Sequence, residues 1–287
     1  MIFFEKTIIS QLKIKKFLEK VHILCYNMSK YQSFKQRSLY FMSAIKVVSY
    51  NVHSTIGMDG KSDCRRLAEV INAAAPHVAG VQELGVYTRR VPDVNAPLEI
   101  ARHTRMNYLF SRSLVTTEAG GEYGVGAFSV YTMELKARLL LPTPEGAEPR
   151  SVLIAKVNAP TPFYFAVCHF SYQGEFEKSE FYRTISAKLI TDTIIDNKFY
   201  PCIWTGDFNT FRGTDTVEFI RKHWLVANDL DPDTPTCVCS ESQSEKQIDF
   251  ICAYPRESFE LKSFRIIPDR EASDHNPVEA EFILKEE

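Results

Sequence analysis

No apolar run in this 287-residue chain approaches the roughly 20 residues that a membrane-crossing helix needs, so the sequence offers no spanning segment. No Cys-x-x-Cys pair is present. The seven cysteines, Cys25, Cys64, Cys168, Cys202, Cys237, Cys239 and Cys252, are scattered and odd in number. Only Cys237 and Cys239 stand close, with a single residue between them and no second pair following, which argues against a zinc knuckle. Reduced thiols in a cytoplasmic setting are the expectation. Internal repeats and low-complexity linkers are absent as well. Bulk positive charge is missing from most of the chain. The formal net charge is -2, and residues 1–41 alone carry eight Lys or Arg against Glu5 and Glu19, a local +6 that leaves about -8 on the remainder. Proteins that clamp long duplex DNA usually carry a basic footprint, so nucleic acid is not the favoured partner of this core.

What is present is ordinary for a globular protein: 45% hydrophobic and 24% charged residues, enough for one large core. Residues 1–41 form a basic, apolar extension, disordered or not native, without the apolar stretch and cleavage site of a secretory signal. An organelle-targeting peptide, a membrane-surface helix that brings the chain to anionic lipid, and an upstream start codon are the open readings. Residues 42–287 read as one domain, expected to act as a monomer. "IKVVSYN" from Ile45 is rich in β-branched residues and predicts a strand. Leu67, Val70, Ile71 and Ala74 recur at helical spacing, with Ser62 as the expected cap and Pro76 as the stop. Further strands are predicted at "HVAGVQE", Val125–Tyr131, Leu135–Leu141, Val152–Val157, Phe163–His169, "CIWTGD", "IDFICAY", "FELKSFRII" and "VEAEFIL". Helices are predicted at "PLEIARHTRM", Phe176–Asp196 and "TDTVEFIRKHW". Strands outnumber helices, which fits two packed sheets flanked by helices.

The strand ends carry the chemistry. Asn51 closes the first strand and Glu83 the second, and His169 closes a middle one. Asp207 and Asn209 follow "CIWTG", Asp249 lies in "QIDFI", and Asp274 and His275 open the last strand. Singly, each is a turn residue, a solvated acid or a core imidazole. Together they are a set for phosphoester cleavage, which requires charge neutralisation and an activated water in line. Oxygen ligands without cysteine suit Mg2+ or Mn2+ better than zinc. Within "WTGDFNTF", Asp207 and Asn209 are two apart, and side chains two apart leave a strand on one face. "TIGMDGKS" departs from a nucleotide-binding loop, since Thr55 replaces its first glycine and Asp59 sets a negative charge among the backbone donors. Tyr123 in "GGEYG" and the aromatic pair Phe170 and Tyr172 are candidates to face the site, and Arg183 is a candidate anchor for a strand-end carboxylate.

The ordered set "SYN", "VQE", "CHF", "GDFN", "IDFI" and "SDHNPV", spanning Ile45 to about Leu284, resembles the endonuclease/exonuclease/phosphatase superfamily of DNase I-like hydrolases. The resemblance implies an α/β (α+β) fold, a four-layer sandwich of two mainly antiparallel β-sheets flanked by helices. It implies Glu83 as the principal metal ligand with Asn51 beside it, and Asp274 as a further acid near the metal. It implies His169 and Asn209 on the phosphate, Asp207 as the base that activates water, and Asp249 as the partner of His275. The implied function is a Mg2+-dependent phosphodiesterase or phosphatase. A lipid headgroup or small-molecule phosphoester is the favoured substrate, and DNase I-like cleavage of DNA or RNA is the alternative. His53 stands where abasic-site endonucleases place an acid, and the continuation typical of inositol polyphosphate 5-phosphatases is absent after "GDFN", so the resemblance stops at reaction class. A binding protein that has lost its chemistry is disfavoured, because no member of the set is missing.

Overall fold

The computed structural model describes residues 44–116, 120–172, 175–238, 246–269 and 271–285; the expectations for residues 1–41 lie outside them. Thirteen strands and four α-helices run in the order β1 (Ala44–Asn51), α1 (Cys64–Ala74), β2 (Val78–Thr88), β3 (Val91–Asn95), α2 (Ala96–Thr104), β4 (Asn107–Thr116), β5 (Gly121–Ser129), β6 (Met133–Leu141), β7 (Arg150–Val157), β8 (Phe163–His169), α3 (Phe176–Asp196), β9 (Cys202–Asp207), α4 (Asp215–His223), β10 (Leu225–Val226), β11 (Asp249–Tyr254), β12 (Phe259–Ile266) and β13 (Val278–Leu284). They make two sheets. One has the order β12-β13-β1-β2-β5-β4 with β3 added beside β2, and the other the order β10-β11-β9-β8-β7-β6. Each sheet is antiparallel except for one parallel pair, β1–β2 in the first and β8–β9 in the second.

Those two parallel pairs decide where the candidate site residues go. Parallel neighbours end at the same rim, and each pair is joined by a crossover helix that packs outside its sheet. Asn51, the segment around Glu83, His169 and Asp207 therefore come to one edge of the sandwich. β11 runs antiparallel to β9 with Asp249 opposite Asp207, so its first residue joins them. β13 pairs with β1 from Val278 opposite Ser49, which brings the preceding Asp274 and His275 to the same edge.

Burial follows this layering. Val47, Val78, Leu153, Phe165, Val167, Ile203, Ile251 and Phe282 fill the space between the sheets. Leu67 and Ile71 of α1 and Ile100 of α2 cover the outer face of the first sheet at Val48, Tyr50 and Val81. Ala187, Ile190 and Ile194 of α3 and Val217 and Ile220 of α4 cover the second around Trp204. The result is helix, sheet, sheet, helix, the four layers expected. Gly80 sits where the sheets approach closely: a Cβ there would lie 2.0 Å from Thr205 Oγ1 on β9. A larger residue would separate the sheets below the rim.

Local details depart from expectation in three respects. The cap of α1 is Asp63, whose carboxylate accepts from the Arg65 and Arg66 amides, because the Ser62 hydroxyl is engaged with Thr55 Oγ1 at 2.7 Å. β3, β4 and β10 are additions to the expected strands; in β4 the polar Ser111, Arg112 and Ser113 interrupt the apolar pattern. Cys64, Cys168, Cys202 and Cys252 are free thiols, but Cys237 is disulfide-bonded. A disulfide needs proximity in space, which spacing along the chain does not reveal. Among the described residues no helix is long and apolar enough to cross a membrane.

Candidate active site

β1 ends on Asn51, whose side chain is the centre of the cluster. Its Nδ2 donates to Glu83 Oε1 and to Asp207 Oδ2, 3.0 Å each, and lies 3.5 Å from His275 Nε2. Two carboxylates from different sheets thus share one amide group, an arrangement that only the sheet packing produces. Glu83 reaches it through a β-bulge. The β2–β5 register slips between Val81 and Leu84, and Glu83 takes φ of 61°. The extra residue re-aims the side chain into the rim, a frequent use of bulges beside active sites.

β9 supplies Asp207, fully buried in the second sheet. Its Oδ1 accepts the Asn209 amide at 2.9 Å, and its Oδ2 lies 3.3 Å from His169 Nε2 and 3.9 Å from His275 Nε2. Asn209, with φ of 50°, turns its amide back so that Nδ2 donates to Phe170 O at 3.0 Å and sits 3.0 Å from His169 Nε2. Behind them Asp249 Oδ2 holds His275 Nδ1 at 2.8 Å. Asp274 is tied in more loosely, through Ser273, whose hydroxyl donates to Asn51 O at 2.7 Å, and through His53 Nδ1, 3.6 Å from Asp274 Oδ2. All eight residues singled out from the sequence converge on one rim. Asp249 stands behind His275, and Asn51 beneath Glu83 and Asp207; the other six line a pocket of about 300 Å3 with His53, Arg90, Tyr123, Arg150 and Tyr172.

The charges in this pocket are set by one another. Burial pulls the Asp207 carboxyl upward, but His169, His275 and the Asn209 amide outweigh it and hold it well below the usual carboxylate range. Glu83 is likewise pulled up by burial and held below its ordinary value by His169, by the Asn51 hydrogen bond and by His275. Burial disfavours the His275 cation, yet Asp249, Asp207 and Asp274 push its pKa up to about 10. Burial raises Asp249 and Asp274, with His275 opposing in both. At neutral pH the pocket therefore combines ionised Glu83 and Asp207 with a protonated His275.

The donor set fits a hard divalent cation. Glu83 and Asp274 offer carboxylate oxygens at the pocket, with Asn51 beneath, its Oδ1 accepting from the His53 amide at 3.0 Å, and no free thiol lies among them. Ligand-type atoms of Asp207, Asp249 and His275 also lie within 4.8 Å of one another. That trio has its Asp249–His275 hydrogen bond already made and Asp249 wholly enclosed, which favours the pocket-facing oxygens as the cation's seat.

A sequence profile described as the Endonuclease/Exonuclease/phosphatase family matches residues 48–275. The chain belongs to the endonuclease/exonuclease/phosphatase family. Family members are hydrolases acting on phosphoesters. No curated protein matches, but solved structures share the fold. An endonuclease/exonuclease/phosphatase from Beutenbergia cavernae aligns at TM-score 0.69 and 19% identity, over 84% of this chain and 72% of that one. The mannosyl-6-phosphatase Bt3783 of Bacteroides thetaiotaomicron aligns at 0.66 and 18% identity, over 84% and 100%. The human Nocturnin catalytic domain aligns at 0.64 and 16% identity, over 85% and 94%.

In this family member, two residues of α3 brace the site's loops, one unmarked in the sequence and one read only in part. Glu180 on α3 accepts from the Thr216 amide at 2.9 Å and the Thr210 hydroxyl at 2.8 Å, gripping the loop after Asn209. Arg183, one turn on, donates to Glu180 Oε2 at 3.2 Å and to Ser171 O at 2.7 Å, gripping the loop after His169. Arg183 is thus buried and anchors a loop, where the sequence offered it only as a candidate anchor for a carboxylate. Tyr123 and Tyr172 do face the pocket, as anticipated, while Phe170 is core, stacked on Phe208. Nothing in the sequence marked Glu180, because a lone acid on a helix carries no periodic or spacing signal.

Proposed function

We propose that this protein hydrolyses a small-molecule or lipid-headgroup phosphoester, using Mg2+, with Mn2+ as a substitute, and in-line attack by water on phosphorus. The observation that carries the reading is the shared Asn51 amide, which brings Glu83 and Asp207 together from two different sheets at one pocket. Glu83, Asn51 and Asp274 are the residues that would hold the cation. When bound, it offsets the negative charge of the phosphoryl group and lowers the pKa of water. Asp207, ionised through neutral pH, accepts the proton of the attacking water. Asn209 fixes Asp207 through its amide and presents its side chain beside His169, so both are available to phosphate oxygens. The His275 cation, oriented by Asp249, stabilises negative charge that builds on those oxygens in the transition state.

Two observations support a small substrate over nucleic acid. The chain beyond residue 41 carries a net acidic balance, and the pocket is about 300 Å3. The mannosyl-6-phosphatase among the structural neighbours is in keeping with this reading. The experiment is a panel of phosphoesters, comprising sugar phosphates, phosphoinositides, sphingomyelin, RNA and single- and double-stranded DNA, assayed with Mg2+ and with EDTA. Asp207→Ala and Glu83→Gln are expected to lower turnover by at least about 100-fold. Wild-type rates in both variants would refute the assignment, and preference for DNA with steep salt dependence would reverse the substrate order.

A further inference from the structure

The turn that follows β1 is strained beside the site, where the His53 amide donates to Asn51 Oδ1 at 3.0 Å. His53, Ser54 and Thr55 take φ of 45, 53 and 69°, three consecutive left-handed residues without a glycine, one of them β-branched. Such strain persists where the surrounding structure enforces it, and it concentrates at ligand clamps. The turn buries Ser54 and Thr55 and sets the His53 ring at the pocket mouth. His53 Nδ1 donates to Ile56 O at 3.0 Å, which leaves Nε2 as an acceptor. Arg90, from the β2–β3 turn, donates to that Nε2 at 3.2 Å and to Ser54 Oγ at 3.4 Å.

The character of these partners matters. Several other surface arginines meet carboxylates: Arg65 with Glu69, Arg66 with Asp59, Arg102 with Glu99, Arg221 with Asp229. On the opposite wall of the pocket Arg150 is already matched by Glu148. Among the described residues Arg90 meets only an imidazole and a hydroxyl. Its long side chain is held at the pocket, and among the described residues no carboxylate pairs with it. A guanidinium fixed in this way is a receptor for a phosphate, whose oxygens match the planar fork of donors. The scissile phosphate already has His169, Asn209 and His275, so Arg90 serves something else.

We propose that Arg90, clamped by His53 and Ser54, binds a second phosphate group of the substrate, so that the preferred substrates are small phosphoesters carrying two phosphates. This rests on the hydrolase reading of the pocket. The same chemistry occurs on a soluble sugar bisphosphate and on a phosphorylated inositol headgroup, and two matched pairs separate these sources. Fructose 6-phosphate against fructose 1,6-bisphosphate tests the first, and glycerophosphoinositol against its 4-phosphate the second. The readout is the ratio of kcat/KM within each pair, measured with Mg2+ for wild type, Arg90→Lys and Arg90→Ala.

In at least one pair the wild type is expected to favour the doubly phosphorylated member by about 10- to 100-fold, the range of one charge-assisted bidentate contact. Arg90→Ala should bring that ratio to near unity, chiefly through KM, and Arg90→Lys should retain part of it. A wild type without preference in either pair overturns the proposal, as does an Arg90→Ala that keeps the wild-type ratio. Wild-type turnover of bis-p-nitrophenyl phosphate separates the two levels. Cleavage of that ester without any preference for the second phosphate defeats the Arg90 assignment alone, whereas a protein inert toward every ester defeats the hydrolase reading too.

Discussion

Replacing Asn51 by aspartate tests the centre of the site without changing its shape. The Asn51 amide is 3.0 Å from both Glu83 Oε1 and Asp207 Oδ2, and the substitution Asn51→Asp turns a donor to both into a third carboxylate. Two unit charges at that distance repel by on the order of 5 kcal/mol at an effective dielectric of 20. Proton uptake limits the damage, because protonating an ordinary aspartate at pH 7 costs about 4 kcal/mol. The protonated carboxyl group of the variant restores one of the two hydrogen bonds and forfeits the other, about 1.5–3 kcal/mol for a bond to a charged group. The cation-free protein should therefore lose about 5.5–7 kcal/mol, a large part of the roughly 5–15 kcal/mol that holds a typical domain together. At about 2–4 °C per kcal/mol for a domain of this size, Tm in EDTA should fall by at least about 10 °C. Saturating Mg2+ should recover most of the deficit, since a divalent cation relieves the repulsion that the substitution introduces. Thermal melts of both proteins with EDTA and with Mg2+ measure this. An unchanged Tm in EDTA would refute the electrostatic reasoning. A deficit equal with and without Mg2+ would place the cation away from Asn51.

The Glu180–Arg183 pair is expected to behave as an internal clamp. Glu180→Leu and Arg183→Met should each cost about 3–5 kcal/mol by stranding a buried partner, while the double variant should cost less than the sum; additive losses in urea melts would show that the two do not act together. Stability in EDTA should also depend on pH at both ends. The His275 pKa, raised to about 10 when folded, gives a contribution that is complete below about pH 6.5 and lost as pH climbs through 10. Asp207 and Glu83 are held below their ordinary values, so their contribution exists above about pH 4 and disappears as pH falls further. Removing the Asp249 charge in Asp249→Asn should move the alkaline loss toward neutral pH, and an alkaline limb identical to wild type would contradict the dyad.

Why some of this was visible in the sequence and some was not follows from where each residue gets its partners. His169 and Asp207 end strands rich in β-branched and aromatic residues, so a local pattern announces both the strand and the polar residue that closes it. Asn51 and Glu83 are similar, although the bulge that aims Glu83 is invisible until β5 is known to lie alongside with its register slipped. Ser62 shows the limit from the other side. It is a sound cap by its neighbours, but it loses the role to Asp63 because Thr55 claims its hydroxyl. Glu180 and Arg90 lie beyond that limit altogether. Glu180 takes its partners from Thr210 and Thr216, 30 and 36 residues away, and Arg90 from His53, 37 residues away. A single charged residue has no period and no spacing to read. The candidate site residues were legible because backbone geometry at a strand end places them. Those that hold loops and pocket walls in position depend on contacts that exist only once both sheets and their outer helices are assembled.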